Sequence, residues 1–207
     1  MIIAIDGPSA SGKSTVSRGI ARELGCLYVD TGAMYRALTW RALKDGIDYR
    51  CEETLTEWVR AVTLSAVAEK GAVNLLVNGE KIEDAWLRTP EINATVSWLA
   101  KTPAVRALAV AVQRDLRRLG SLVAEGRDMG TVVFPDADFK FYVDVPEEIR
   151  AARRAAQGVG DAIAERDRMD STRATAPLRM ADDAVLIENV GTAEETIAKI
   201  LSVIRSR

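Results

Sequence analysis

Short runs of apolar residues alternate with longer segments of helical periodicity along most of the chain. The short runs predict strands buried on both faces of a sheet, at 2–5, 26–29, 121–124, 139–145 and 184–187. In other segments, apolar residues recur every three or four positions, which predicts amphipathic helices at 16–24, 33–44, 55–62 and 103–119. This alternation is typical of a doubly wound, three-layer α/β fold, here with a five-stranded parallel core sheet.

The stretch from residue 52 to about 100 departs from this alternation. Two β-like runs at 64–68 and 72–77 precede Asn78-Gly79, a dipeptide that strongly favours a hairpin turn, and the chain returns through 80–82. The pattern therefore predicts a small antiparallel sheet inserted into the parallel fold.

Capping signals mark the starts of two later helices. Thr102 precedes Pro103, the order expected for an N-cap and a first helical position. Thr192, with Glu195 three residues later, matches a capping box. Arg106 lies off the apolar stripe of the helix that begins at Pro103, and we expect it to be a surface charge.

Composition limits the partners that we expect. The 207 residues are 48% hydrophobic and 28% charged, as in one folded domain with a substantial core. A formal net charge of −2 provides no global basic field that would favour nucleic acid or an anionic membrane, and no apolar run is as long as a membrane span. A strand predicted at residue 2 leaves no room for a signal peptide, and the two cysteines suit a reducing compartment, so we expect a cytoplasmic protein.

The sequence contains no histidine. An imidazole base and a histidine-ligated metal are therefore excluded, which removes Ser-His-Asp hydrolysis and most zinc chemistry. Phosphoryl transfer remains, because it depends on positioning and charge stabilisation more than on a base.

Between the first strand and the first helix, residues 7–14 match the pattern G-x-x-x-x-G-K-[ST]. A strand, a glycine-rich loop and a helix in this order are typical of a P-loop, whose backbone N–H groups point at phosphates. Gly7 and Gly12 let the backbone fold around a polyphosphate. Lys13 supplies a charge for the outer phosphates, and Ser14 supplies a hydroxyl for Mg²⁺. An ordinary glycine-rich turn is the alternative interpretation.

Other polar residues follow predicted strands, at the sheet edge where α/β proteins bind ligands. Glu125 follows the third strand, and we expect it to organise Mg²⁺ through water. Tyr35 and Arg36 begin the helix after the second strand. They belong either to the site or, in the alternative, to the core and the solvated surface.

An arginine-rich helix follows Pro146, and glycines interrupt it at 158–160. In the next predicted helix, Arg166, Asp170 and Arg173 have i, i+4, i+7 spacing, which predicts that they share one face. A solvated ion-pair ladder is one interpretation. We favour a closing lid that clamps phosphates.

Taken in order, these motifs resemble the sequence blocks of bacterial cytidylate kinases over nearly the whole chain. The matching blocks are 5–15, 30–37, 125–136, 165–167, 170–173 and 176–178. The segment GRDMGTVVFP at 126–135 is the most diagnostic, since other nucleoside monophosphate kinases do not carry it.

The resemblance implies a monomeric enzyme that transfers a phosphoryl group from MgATP to CMP or dCMP, with no nucleic acid or membrane partner. It also implies a functional division of the chain. The P-loop core would comprise 1–30, 101–150 and 177–207; the monophosphate-binding region with its antiparallel insertion would comprise 31–100; and a short helical lid would comprise about 151–176.

The site residues implied by the resemblance fall into three sets. ATP and Mg²⁺ would bind to Gly7, Pro8, Ser9, Ala10, Ser11, Gly12, Lys13, Ser14 and Thr15, with Glu125 reaching the metal through water. CMP would bind to Thr31, Tyr35, Arg36, Ser97, Arg106, Arg127, Asp128, Arg166, Asp170 and Arg173, with Ser97, Arg106 and Asp128 reading the cytosine. The implied catalytic residues are Lys13, Arg127, Arg166 and Arg173.

Two features depart from the family's pattern. Thr31 stands where the family often has serine, and the segment between Arg154 and Arg166 is shorter than in many members, which leaves the roles of Arg150, Arg153 and Arg154 open. Two alternative functions remain: a kinase for another small acceptor such as UMP, AMP or a non-nucleotide alcohol, and a non-catalytic ATP-binding switch.

Overall fold

The computed structural model describes residues 1–69, 72–156 and 163–206. The chain forms two compact units. The first unit combines Met1–Asp30 with Gly120–Arg207, and the second unit is Thr31–Leu119.

The strands are β1 (Ile2–Asp6), β2 (Leu27–Asp30), β3 (Leu64–Glu69), β4 (Ala72–Val77), β5 (Glu80–Lys81), β6 (Leu122–Gly126), β7 (Phe139–Asp144) and β8 (Val185–Glu188). The α-helices are α1 (Lys13–Leu24), α2 (Thr31–Lys44), α3 (Glu52–Val59), α4 (Pro90–Lys101), α5 (Pro103–Asp115), α6 (Glu147–Ala156), α7 (Ile163–Ser171) and α8 (Ala193–Arg205). Short 3₁₀ turns lie at Asp84–Arg88 and Leu116–Leu119, and a π-helical turn lies at Met129–Val133. Among the described residues, no helix has the length and apolar character needed to cross a membrane.

The first unit is built on a five-stranded sheet in the order β2-β6-β1-β7-β8. Each neighbouring pair in this sheet is parallel, which confirms the predicted parallel core. β1 lies at the centre of the sheet, and Ile3 and Ile5 are fully buried there. Strand residues such as Phe141 pack in one apolar cluster with Ile20 of α1 and Ile200 of α8. The carboxyl ends of β1 and β6 therefore emerge side by side from a rigid core.

The second unit contains the predicted antiparallel insertion, a three-stranded sheet in the order β3-β4-β5. Asn78 and Gly79 both adopt positive φ, 51° and 77°, which is the geometry of the tight hairpin turn that this dipeptide favours. The Asn78 side chain also accepts a hydrogen bond from the Thr63 N–H at 2.8 Å. In the same unit, α4 packs against α2 and α5.

Two helix boundaries differ from the sequence prediction. α2 begins at Thr31 rather than near Ala33, so Tyr35 and Arg36 lie in its second turn. α5 ends at Asp115, because the chain tightens into the 3₁₀ turn Leu116–Leu119 before Gly120 at φ 118°. Thr102 does occupy the N-cap position of α5, but its hydroxyl donates to the Trp98 carbonyl of α4 at 3.2 Å instead of capping α5.

The capping box of α8 is present as the sequence predicts. The Thr192 hydroxyl accepts from the Glu195 N–H at 3.2 Å, and the Glu195 carboxylate accepts from the Thr192 N–H at 2.9 Å. α8 therefore begins at a defined residue and packs against α1.

We expect Thr192→Ala to lower the free energy of unfolding by about 1 kcal/mol, because the side-chain partner of the Glu195 N–H is lost. The midpoint of thermal unfolding should fall by about 2–4 °C for a chain of this size. Thr192→Ser keeps the hydroxyl and is the matched control. A midpoint for Thr192→Ala equal to that of Thr192→Ser would contradict the role assigned to the cap.

Candidate active site

The loop between β1 and α1 has a backbone that only small residues can follow. Gly7, Ala10 and Gly12 have φ values of 153°, 58° and 84°. A Cβ on Gly7 would lie 2.2 Å from the Val143 carbonyl oxygen, and one on Gly12 would lie 2.4 Å from Nδ2 of Asn189. The two glycines of the motif are therefore required by positive φ and by close packing.

Side chains from other elements hold the carbonyls of this loop. The Gly7 carbonyl accepts from Nη1 of Arg127 at 3.1 Å, and the Ser9 carbonyl accepts from Nη1 of Arg150 at 3.2 Å. The Ser11 carbonyl accepts from Nδ2 of Asn189 at 2.7 Å and from Nη1 of Arg153 at 3.4 Å. In a trans peptide the carbonyl and the following N–H point in opposite directions. Because the Ser9 and Ser11 carbonyls point to these side chains, the N–H groups of Ala10 and Gly12 point away from them, as an anion-binding loop requires.

The sequence assigns no role to Arg150 or Arg153, and it does not mark Asn189. The structure places all three against the loop, on the peptide oxygens rather than on the N–H groups. Arg150 also pairs with Asp167 of α7, whose carboxylate accepts from the Ser9 N–H at 3.0 Å. The only sequence signal was the cluster of arginines on α6; nothing local marked Asn189.

Lys13 is buried at the start of α1, and its Nζ donates to the Pro8 carbonyl at 2.9 Å. Burial, together with repulsion from Arg127, lowers the pKa of Lys13 to about 7; Glu125, Asp30 and Asp170 oppose that shift. The charged form of Lys13 is thus only partly stabilised, and a further negative charge beside its Nζ would stabilise it more.

Ser14, also in the first turn of α1, donates from its hydroxyl to Glu125 at 2.9 Å. Glu125 is buried at the end of β6, and its other carboxylate oxygen accepts from the Tyr28 hydroxyl of β2. Burial and the nearby Asp30 carboxylate raise the pKa of Glu125. The sequence predicted Ser14 and Glu125 but missed the tyrosine that orients the carboxylate.

A hydroxyl and a carboxylate oxygen are the hard ligands that Mg²⁺ prefers. Over the described ranges, no cluster of three or more acidic or cysteine side chains forms a complete metal cage. The paired oxygens of Ser14 and Glu125 are of the type that fits Mg²⁺, which at phosphate sites usually keeps several water ligands and binds one or two protein oxygens plus phosphate.

Arg127, Asp170 and Arg173 form an ion-pair cluster beside the loop. Nε of Arg127 donates to Oδ2 of Asp170 at 2.9 Å, and Nη1 of Arg173 lies 4.0 Å from Oδ1 of the same carboxylate. α7 ends at Ser171, so the prediction that Arg166, Asp170 and Arg173 share one helix face is wrong for Arg173. The turn after the helix brings Arg173 back, and its Nε donates to the Asp170 carbonyl at 3.2 Å. The side chains of Arg154 and Arg166 lie outside the described part of the structure.

Asp6 fixes the turn that follows β6. Its carboxylate accepts from the N–H groups of Met129 and Gly130 at 2.7 and 2.8 Å. Burial raises the pKa of Asp6 to about 6, against the opposing effect of these two hydrogen bonds. Asp128 is buried where this turn begins, and its carbonyl accepts from Val132 and Val133. The backbone of Asp128 is therefore held by hydrogen bonds at the start of this turn.

In the second unit, Arg106 is buried, with 3% of the residue exposed. Its guanidinium lies 5.6 Å from the centroid of the Tyr35 ring, and Nη1 donates to the Ala100 carbonyl at 3.3 Å. The prediction of a surface charge is wrong, because an aromatic face and a helix C-terminal carbonyl replace water around the cation. Arg36, which follows Tyr35 in α2, donates from Nη1 to Oδ1 of Asn93 at 2.7 Å.

The remaining predicted residues of the second unit are Thr31 and Ser97. Both are buried, Thr31 at the first position of α2 and Ser97 in α4. The structure thus brings Tyr35 together with Arg106 within the second unit. It brings residues of the loop together with Arg127, Asp170 and Arg173 within the first.

A polyphosphate in the loop adds negative charge beside Lys13 and should raise the pKa of Lys13 above about 7. Binding of ATP in EDTA should therefore take up about one proton near pH 8 and fewer near pH 6, and affinity should weaken as the pH rises above 7. Calorimetry in buffers of different ionisation enthalpy measures this uptake. Lys13→Arg stays charged and should abolish it; equal uptake by both proteins would contradict the assignment.

Comparison with known proteins agrees with the geometry. A sequence model described as Cytidylate kinase matches residues 3–206. A cytidylate kinase from Geobacillus thermodenitrificans (strain NG80-2) is 42% identical, over 99% of this chain and 96% of the relative. A bifunctional pantoate ligase/cytidylate kinase from Synechococcus sp. (strain WH7803) is 46% identical over 97% of this chain, which spans 43% of that relative's length.

Among solved structures, TT1252 from Thermus thermophilus matches with a TM-score of 0.51 and 22% identity, over 100% of this chain and 96% of that one, and so shares the fold. The family match over almost every residue, together with the full-length relative, fixes the classification. This chain belongs to the cytidylate kinase family.

Proposed function

We propose that this chain transfers the γ-phosphoryl group of ATP to CMP or dCMP, giving ADP and CDP or dCDP. The observation that carries the proposal is the geometry of the P-loop in a chain of the cytidylate kinase family. Asn189 holds the Ser11 carbonyl, and the loop leads into Lys13 and into Ser14, which is hydrogen-bonded to Glu125. The loop fits a polyphosphate, and the relatives named cytidylate kinase indicate the acceptor.

ATP is assigned to residues 7–15. The N–H groups of the loop other than that of Ser9, which donates to Asp167, would bind the phosphates together with the N-terminus of α1, which has no side-chain cap. Lys13 would exchange the Pro8 carbonyl for a phosphate oxygen. Magnesium would bind to Ser14 and, directly or through water, to Glu125, and when bound it neutralises charge on the transferring group.

Transfer is assigned to Lys13 and to the cations Arg127, Arg166 and Arg173. These side chains would stabilise the charge on the transferring phosphoryl group and exclude water that would otherwise hydrolyse ATP. Asp170 holds Arg127 and Arg173 through the ion pairs described above. No general base is needed, because the attacking oxygen belongs to a phosphate that is already anionic; this suits a chain without histidine.

The acceptor nucleotide is assigned to two sets of side chains. The first set is Thr31, Tyr35, Arg36, Ser97 and Arg106. The second set is Arg127, Asp128, Arg166, Asp170 and Arg173. Asp128 would accept a hydrogen bond from the exocyclic amine of cytosine, whereas uracil presents a carbonyl there and would be repelled.

The location, oligomeric state and partners of the enzyme are also part of the proposal. The enzyme would act on nucleotides as a cytoplasmic monomer, without nucleic acid or membrane partners. The formal net charge of −2 supports the last point, because it provides no overall attraction to polyanions. The assignment of 1–30, 101–150 and 177–207 to the catalytic core, of 31–100 to monophosphate binding and of about 151–176 to a lid stays a prediction.

An assay of ADP release with MgATP and a panel of acceptors tests the proposal. We expect turnover with CMP and dCMP and little with UMP, AMP or shikimate. Uracil presents a carbonyl where cytosine presents its amine to Asp128, the amine of adenine is carried on a larger purine ring, and shikimate has no base. Release that no acceptor stimulates would refute the kinase and support an ATP-binding switch. Equal turnover with UMP would refute the selectivity.

Asp128→Ala should lower kcat/KM for CMP by about tenfold to a hundredfold and narrow the preference for CMP over UMP, because the amine loses its charged acceptor. The KM for ATP should stay within about twofold of the wild-type value, since ATP is assigned to residues 7–15 and not to Asp128. Asp182→Ala removes an exposed carboxylate and is the control. An unchanged CMP/UMP ratio in Asp128→Ala would exclude Asp128 as the residue that reads the base.

A further inference from the structure

Asn189 follows β8 and connects the phosphate-binding loop to the rest of the first unit through all of its polar groups. Its backbone N–H donates to the Asp144 carbonyl at 2.9 Å, and its carbonyl accepts from Nη2 of Arg153 at 2.8 Å. In the side chain, Nδ2 donates to the Ser11 carbonyl at 2.7 Å, and Oδ1 accepts from the Thr196 hydroxyl at 2.8 Å. Asn189 is 4% exposed, so these protein groups replace water around the side chain.

The partners of Asn189 determine which way its side-chain amide points. The Ser11 carbonyl has only lone pairs, so the amide nitrogen must face it. The Thr196 hydroxyl then meets Oδ1, to which it can donate. Thr196 lies in the first turn of α8, which the capping box fixes. The orientation of Asn189 therefore depends on the start of α8.

The hydrogen bond to Ser11 controls the peptide that links Ser11 to Gly12. Because this peptide is planar and trans, a carbonyl held toward Asn189 turns the Gly12 N–H to the opposite side. Asn189 also occupies the space beside Gly12, where a Cβ would lie 2.4 Å from Nδ2. The Ser11 carbonyl also accepts a hydrogen bond from Arg153, but this bond is longer, at 3.4 Å, and its donor is on a long side chain with many rotatable bonds. Asn189 is thus the closer and better-fixed partner of this peptide.

We propose that Asn189 is a positioning residue for phosphoryl transfer: it holds the Ser11–Gly12 peptide so that the Gly12 N–H is presented to the phosphates of ATP. The inference rests on the proposed function, because it takes ATP to bind at this loop. Asn189 acts through the loop backbone, so its contribution belongs to phosphate binding and not to recognition of CMP. Thr196 supports the same peptide indirectly, because its hydroxyl donates to Oδ1 of Asn189 and so holds the side-chain amide in place.

The experiment measures binding of inorganic tripolyphosphate and of ATP by calorimetry, together with the KM for CMP and the midpoint of thermal unfolding. Tripolyphosphate has no base, so it reports the phosphate loop alone. The variants are Asn189→Ala, Asn189→Asp and Thr196→Val. Asn74→Ala is the matched control, since it removes an asparagine side chain that donates to Glu69 on the hairpin of the second unit.

We expect Asn189→Ala to weaken tripolyphosphate and ATP by the same factor, about tenfold, because one hydrogen bond that orients the peptide is lost. Asn189→Asp should weaken both further, since a carboxylate oxygen would face the Ser11 carbonyl. Thr196→Val should act in the same direction by about threefold. The KM for CMP should be unchanged in every variant, and Asn74→Ala should match the wild type in all measurements.

Wild-type affinity for tripolyphosphate in Asn189→Ala and Asn189→Asp would overturn the proposal. The proposal would also be overturned if ATP affinity fell and the KM for CMP rose by the same factor, in step with a lower midpoint of thermal unfolding. That result would indicate a general loss of structure. If Asn189→Ala does not fold, Thr196→Val decides: unchanged tripolyphosphate binding in that variant overturns the inference. A wild-type protein that binds neither tripolyphosphate nor ATP would refute the proposed function itself.

Discussion

The peptide planes of the phosphate-binding loop depend on hydrogen bonds made on the side away from the phosphate. N–H groups can converge on an anion only if the carbonyls of the preceding residues have partners elsewhere. For the Ser9 and Ser11 carbonyls those partners come from distant parts of the chain: Arg150 and Asn189 lie 141 and 178 residues from the carbonyls that they hold. The orientation of these two peptides therefore depends on the fold of the first unit, because their carbonyls are held by residues far away in the sequence.

Charge is the second constraint on this site. An isolated buried ion costs several kcal/mol, so buried cations and carboxylates have to face one another. Lys13 is only partly compensated by Glu125, Asp30 and Asp170, which is why its pKa stays near 7. A phosphate would supply the missing negative charge. The site is thus arranged for an anion before one arrives, which is how preorganised charge contributes to phosphoryl transfer. The same arrangement needs no histidine, because an anionic acceptor requires no base.

Much of the fold could be predicted because its signals are local. Runs of buried residues marked the five core strands, Asn78-Gly79 marked the hairpin, and Thr192 with Glu195 marked the start of α8. Each signal acts through a few neighbouring residues, so tertiary contacts had little to change. Where the boundaries differ, tertiary structure intervened: Thr102 turned its hydroxyl back to α4, and α5 tightened into a 3₁₀ turn before Gly120.

The sequence by itself determined the α/β class and the P-loop motif, because periodicity and spacing carry that information directly, and its motif blocks indicated the family by their resemblance to cytidylate kinases. The sequence also predicted Ser14 at the start of a helix and Glu125 after a strand as magnesium ligands, and the resemblance predicted Asp128 as the residue that reads the base. Only the tertiary structure decided that Arg106 is buried against an aromatic ring and that Asn189 holds the loop. The reason is physical: periodicity shows which face of an element is apolar, whereas the partner of a polar side chain is set by which distant segment the fold brings beside it.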